Sequence, residues 1–65
     1  MCEFKVYLNE DDQKDRQMLT KGIVIAIQKD LNVILRDVIG NSEVVENVTI
    51  EEVSTMKQEL ILKRI

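Results

Sequence analysis

The sequence contains no histidine, proline or tryptophan, and only one cysteine, one phenylalanine, one tyrosine and two glycines among its 65 residues. Without histidine there is no Ser-His-Asp triad, no Cys-His pair, no imidazole base and no histidine-ligated zinc. A single cysteine excludes an internal disulfide and a four-cysteine zinc site. Because no activated nucleophile or tuned base can be identified, we do not expect an enzyme.

Long apolar runs are also missing. The longest run covers residues 23–27, which is too short to span a membrane, and the first residues form no apolar stretch of signal-peptide length. We therefore expect a cytoplasmic protein with a reduced thiol and no membrane partner. The formal net charge is −3, and with so few aromatic residues a nucleic-acid partner is disfavoured, since phosphate attraction and base stacking are both weak.

Branched aliphatic side chains are abundant: valine and isoleucine each occur eight times, against one alanine. Such side chains fit a pleated sheet better than a helix. Residues 2–9 alternate apolar with more polar side chains, which predicts a strand with one face in the core. Residues 10–16 carry no apolar side chain and predict an exposed loop. A helix over residues 12–20, capped by Asp12, is the weaker alternative.

The rest of the chain is predicted to form short strands and turns. The branched run 23–27 predicts a strand covered on both faces, with Gly22 marking a bulge or bend. Further strands are predicted over residues 31–36, 43–47, 48–53 and 58–65, with turns at residues 29–30, 37–41 and 54–57. Five or six short antiparallel strands in a single domain, residues 1–65, predict an all-β fold: a small, strongly bent barrel or sandwich.

A chain this short has a small core, which rarely supplies more than about 3–5 kcal/mol of stability. Because the chain has no internal disulfide to add stability, dimerisation is a natural way to bury more apolar surface. We expect a dimer to bury the run 23–27 together with Ile61 and Ile65. The alternative is that both faces of the run are covered within one barrel.

Cys2 is the residue with unusual chemistry. If Met1 is retained, its α-amine, the deprotonated Cys2 amide nitrogen and the Cys2 thiolate close two fused five-membered chelate rings on one metal ion. If Met1 is removed, the Cys2 amine and thiolate close one ring, and two such termini supply two nitrogens and two sulfurs. Either planar set suits Ni(II) or Cu(II) better than magnesium, calcium or tetrahedral zinc. The alternative is that Cys2 only begins the apolar face of the first strand.

The other clusters of polar side chains lack the neighbouring residues that would identify a catalytic or metal site. The carboxylates of Glu51-Glu52 and of Glu43 and Glu46 are predicted to lie on solvated strand faces. The acidic run 11–15 lacks the glycine and the terminal glutamate of a calcium loop. We therefore assign none of these clusters to catalysis or to metal binding.

Three segments, in order, resemble the CooT family of small nickel-binding proteins, whose relatives were long labelled predicted RNA-binding proteins. The opening MCEFKVYL resembles the family's Met-Cys start and first strand. LRDVIG at residues 35–40 resembles its central strand, which ends in an Asp-aliphatic-aliphatic-Gly turn. VENVTIEEV at residues 45–53, followed by LIL at residues 60–62, resembles its closing strands.

The resemblance implies a small SH3-like β-barrel that forms a homodimer, with Cys2 as the key nickel ligand. Nickel in the namesake is linked to maturation of carbon monoxide dehydrogenase, which implies a nickel-enzyme client. The protein is then a metallochaperone or nickel store that holds Ni(II) with the Cys2 thiolate and an adjacent backbone nitrogen. The alternative is an RNA-binding or protein-interaction module on the same barrel. Salt discriminates between them, because binding through phosphates weakens steeply as salt rises.

Overall fold

Strands and turns make up the structure, a computed structural model that describes residues 3–9 and 16–65. In chain order the six strands are β1 (Phe4–Asn9), β2 (Arg16–Lys29), β3 (Asn32–Asp37), β4 (Ser42–Glu46), β5 (Val48–Ser54) and β6 (Glu59–Arg64). They form one curled sheet in the order β4-β3-β2-β1-β6-β5. The prediction of an all-β fold with five or six strands is confirmed.

The described strands pair antiparallel with one exception. β1 and β6 run parallel, with Val6 beside Leu60 and Leu8 beside Leu62. The prediction of antiparallel pairing was wrong for this pair, because the β5–β6 hairpin returns its last strand beside the first one in the same direction. β2 is also longer than predicted, with 14 residues, because its first half pairs with β1 and its second half pairs with β3.

β2 changes partner at a bend beside Gly22. Ile23 pairs with both Phe4 and Asp37, and the register shifts on both sides of β2 at this point. Gly22 has a φ of +72°, a left-handed conformation that glycine adopts at little cost and that a branched residue does not. The predicted bend at Gly22 is confirmed, and it allows one strand to serve both halves of the curled sheet.

The core lies on the inner face of the curl. Its buried members and the half-buried residues packed against them are all apolar, and no polar or charged side chain within residues 3–9 and 16–65 is buried. Burial of this apolar surface is the main favourable term in folding. The buried cluster consists of Val6, Leu8, Ile23, Val33, Leu35, Val48, Leu60 and Leu62, with Phe4, Leu19, Val45 and Ile50 against it.

Gln28 joins the β2–β3 turn to the start of β5. Its side-chain Oε1 accepts a hydrogen bond from the backbone N–H of Ile50 at 2.9 Å. Its Nε2 lies 3.2 Å from the carbonyl oxygen of Val48 and 2.9 Å from that of Asp30. The N–H of Val48 also donates to the carbonyl of Leu31 at 2.9 Å. These bonds bring β5 against β2 and β3, although β1 and β6 separate them in sheet order.

Residues 12–20, for which a helix was the alternative prediction, form a strand over the part that the structure describes. Residues 16–20 lie in β2, where Gln17 pairs with Leu8 and Thr20 pairs with Val6, so the helix alternative is wrong there. The backbone N–H and C=O groups of these residues pair with β1, whereas in a helix they would pair with one another. Residues 10–15 lie outside the described residues. Within the described ranges, no helix has the length and apolarity to cross a bilayer.

Two residues expected on a dimer surface are already covered in the single chain. Ile23 belongs to the core, and Ile61 is 1% exposed. Ile61 faces away from the core, but Tyr7 of β1 and Glu52 of β5 flank it in register. The expectation that a partner buries Ile61 was therefore wrong, because its own sheet covers it. Ile65 remains exposed.

Candidate functional site

Cys2, the residue predicted to bind nickel, lies outside the described residues, as do Met1 and the acidic run 11–15. The described chain begins at Glu3, which is exposed, and β1 starts one residue later. The structure therefore defines the part of the sheet to which the N-terminal residues are attached.

The N-terminal end of β1 joins the sheet at its bend. Phe4 pairs with Ile23, and the carboxylate of Glu3 lies over Gly22, where an added Cβ would be 3.4 Å from Glu3 Oε1. Since β1 starts here, β2 residues 24–29 pair with β3 on one edge and with no described strand on the other. The N-terminal residues are thus attached beside an unpaired length of the β2 edge.

An apolar groove of about 210 Å³ opens beside this edge, between β2 and β5. Its side chains carry no oxygen, nitrogen or sulfur, so they offer a metal ion no ligand. The groove has no signature in the sequence, because its lining comes from four strands that only the topology brings together. The lining residues are Phe4, Ile23, Val24, Ile25, Ala26, Ile50, Val53 and Leu60.

Within residues 3–9 and 16–65, no three His, Cys, Asp or Glu side chains come together as a metal site. The carboxylates singled out in the sequence, Glu43, Glu46, Glu51 and Glu52, are exposed on their strands as predicted. Glu51 Oε1 accepts a hydrogen bond from Asn9 Nδ2 at 3.0 Å. The described side chains therefore do not build a metal site among themselves.

A family model described as the CO dehydrogenase accessory protein CooT matches residues 1–63. The chain belongs to the CooT family. The match spans the Met-Cys start, the central strand and the closing strands, so the resemblance seen in the sequence is confirmed. No curated protein matches the chain in sequence.

The fold of this CooT-family chain is similar to a crystal structure of a protein assigned as CooT from Carboxydothermus hydrogenoformans. The two superpose with a TM-score of 0.80 over 98% of each chain, at 14% sequence identity. At that identity the likeness shows the fold alone. It confirms the small, bent β-barrel for this member of the CooT family.

The Asp-aliphatic-aliphatic-Gly segment that marks the CooT resemblance forms a braced turn after β3. Asp37 Oδ1 accepts hydrogen bonds from the N–H groups of Ile39 at 3.1 Å and Asn41 at 2.9 Å. The N–H of Gly40 donates to the carbonyl of Asp37 at 3.1 Å, and Gly40 has a φ of +94°. The aspartate and the glycine are thus explained by turn geometry.

The two aromatic residues of the chain, Phe4 and Tyr7, are both half-buried in β1. Phe4 packs against the core, and Tyr7 stands beside Ile61 on the outer face. Neither is a freely exposed platform on which a nucleic-acid base could stack.

Proposed function

We propose that this CooT-family protein binds Ni(II) through the Cys2 thiolate and an adjacent backbone or terminal nitrogen, and that it carries or stores nickel for a nickel enzyme. The observation that carries the proposal is the family match over residues 1–63, which includes Cys2 and whose description names an accessory protein of CO dehydrogenase. CO dehydrogenase is a nickel enzyme, so an enzyme of this kind is the proposed client.

The donor chemistry supports nickel over the commoner cations. Cys2 is the only thiol of the chain, and a thiolate with nitrogen neighbours is a soft, strong-field set that suits planar Ni(II). Magnesium and calcium require several oxygen ligands, and no three Asp or Glu side chains come together as a metal site in the described ranges. The role is a binding one, without catalysis, in a cytoplasmic homodimer.

The proposal is tested by a nickel titration of untagged protein, followed by visible absorption. The native protein should develop a thiolate-to-nickel charge-transfer band that saturates at a fixed ratio of nickel to chain. Cys2→Ser should show no such band. Met56→Ser is the matched control, because it removes a sulfur that is exposed on the β5–β6 turn and should leave the band unchanged. A band of equal strength in Cys2→Ser would overturn the proposal.

A further inference from the structure

β2 has a free edge where β1 begins. Its residues 24–29 pair with β3 on one side, and on the other side they pair with no strand of the described residues. β5 is the last strand of the sheet, and its free edge faces this part of β2 across the apolar groove. Unpaired N–H and C=O groups along a strand are a template on which another extended segment can pair.

The groove is the open part of the seam between these two edges. At one end of the seam, the side-chain amide of Gln28 joins β2 to the backbone of Val48 and Ile50. The side chains that line the groove, toward Val24 and Ile25, are apolar and make no such bridge, so the seam opens there to about 210 Å³. A water molecule occupies about 30 Å³, so the groove has room for a small side chain.

The register of β1 on β2 leads the N-terminal residues to the groove. Phe4 pairs with Ile23 in an antiparallel arrangement, so continuing the strand in this register sets Cys2 beside Ile25. Alternate residues of a strand point to the same face. Phe4 lines the groove and packs against the core. The side chain of Cys2, two residues before it, then points to the groove as well.

We propose that residues 1 and 2 of the nickel-free protein continue β1 along the free edge of β2, with the Cys2 side chain in the apolar groove, and that nickel binding withdraws them. Two residues of extended chain reach about 7 Å, which covers the edge beside Ile25 and Ala26. Cysteine suits this position because a free thiol packs as a small apolar side chain.

The chain's own N-terminal segment is the occupant because it is already attached at the groove. Its covalent link to Glu3 makes the pairing intramolecular, so no loss of translational freedom opposes it. A strand from another protein would pay that cost, and the groove lining carries no charged side chain that would select such a strand.

The docked and the nickel-bound arrangements exclude each other. The groove lining offers a metal ion no ligand, and a charged metal centre would lose its water there without replacement. A Cys2 amide nitrogen that binds nickel also has no N–H left to donate within a sheet. This step rests on the proposed function: docking raises the apparent Kd for nickel in inverse proportion to the fraction of chains whose N-terminal segment is undocked.

Alkylation of the Cys2 thiol tests the docking without nickel. Iodoacetamide should modify the native protein at least about tenfold more slowly than a peptide of residues 1–8, because the docked thiol reacts only when the segment opens. Ala26→Phe fills the groove and should speed the reaction at least about threefold. Ile27→Phe is the matched control, because Ile27 is the next residue of β2 and faces the other side of the sheet with Ile34. Its variant should react like native.

The same two variants test the coupling to nickel. Ala26→Phe should bind nickel at least about threefold more tightly than native, since no docked state competes, and Ile27→Phe should bind like native. Tighter binding is not what loss of structure would produce. Circular dichroism checks that each variant is folded, and Ala26→Leu replaces Ala26→Phe if the larger side chain prevents folding. Equal nickel affinity of native and the filled-groove variant would overturn the coupling.

Nuclear magnetic resonance tests the native protein directly and needs no variant. In the nickel-free protein, nuclear Overhauser contacts should join Cys2 to Ile25, and they should disappear when planar, diamagnetic Ni(II) binds. Absence of these contacts would overturn the proposal, as would alkylation at the rate of the peptide. Protection of the thiol that decreases on dilution would also overturn it, because the groove would then be covered by a second chain.

The docking and the proposed function fail separately. A protected Cys2 thiol in a protein that binds no nickel would leave the docking standing and overturn the nickel proposal. Nickel binding through a Cys2 thiol that is fully reactive in the nickel-free protein would do the reverse.

Discussion

Gln28 Oε1 accepts a hydrogen bond from the backbone N–H of Ile50 at 2.9 Å, so one side chain of β2 holds the backbone of β5. The Nε2 of the same amide lies 3.2 Å from the carbonyl of Val48. In sheet order β1 and β6 lie between these strands. The amide of Gln28 therefore takes the place of a strand pairing where the curl of the sheet brings β2 and β5 together.

Gln28→Ala should destabilise the protein by about 1–3 kcal/mol, because the N–H of Ile50 and the carbonyl oxygens of Asp30, Asn32 and Val48 lose their side-chain partner. Urea unfolding followed by circular dichroism measures this loss. Gln17→Ala is the control: Gln17 is also an exposed glutamine of β2, and its removal should change stability by less than about 0.5 kcal/mol. Equal stability of the two variants would contradict the bracing role of Gln28.

Asp37→Ala should cost about 1–2 kcal/mol, since the N–H groups of Ile39 and Asn41 lose the oxygen that accepts both. Asp37→Asn keeps an oxygen in the same place and should retain most of the native stability. Thermal unfolding of the two variants beside the native protein measures the difference. If the alanine and asparagine variants lose the same stability, the two hydrogen bonds do not brace this turn.

Nickel binding should weaken as the pH falls, because the thiol and the nitrogen ligands must lose protons before they bind the metal. The sign follows from competition: each proton that nickel displaces lowers the apparent affinity by about tenfold per pH unit below the ligand's own pKa. A titration between about pH 8 and pH 6 measures the slope, given a reference thiol pKa near 8.5. An affinity that does not change over this range would argue against a thiolate ligand.

Salt should have little effect on nickel binding and a large effect on any RNA binding. Chelation by one thiolate and its neighbouring nitrogens should change by less than about twofold between 50 and 200 mM salt, whereas binding through several phosphates loses orders of magnitude. Nickel affinity and the affinity for a single-stranded RNA oligonucleotide, measured in the same buffers, make the comparison. Tight RNA binding that collapses with salt, beside negligible nickel binding, would favour the RNA-binding alternative.

Local patterns predicted the strands well. Period-two alternation placed Val6 and Leu8 on a core face, and both are buried. Gly22 was predicted to mark a bend, and Gly40 with Asn41 was predicted to form a turn; both features are present in the structure. In each case the signal is local, because side-chain alternation and positive φ depend on a few neighbouring residues.

The sequence pattern does not predict which residues far apart in the chain come into contact. Nothing local to Ile61 shows that Tyr7 and Glu52 stand on either side of it, and nothing local to Gln28 shows that Ile50 lies opposite it. The parallel β1–β6 pair likewise joins strands from the two ends of the chain. The nickel site itself stays a prediction, because it depends on Cys2, which the described residues do not include.

The most direct test of the central claim is native mass spectrometry of untagged protein equilibrated with a small excess of Ni(II), with Cys2→Ser measured in parallel. The account predicts a native species with a fixed number of nickel ions per chain, either one for each chain or one for each pair. It predicts that Cys2→Ser carries none under the same conditions. Nickel bound to Cys2→Ser at the native ratio would contradict the claim that the Cys2 thiolate holds the metal.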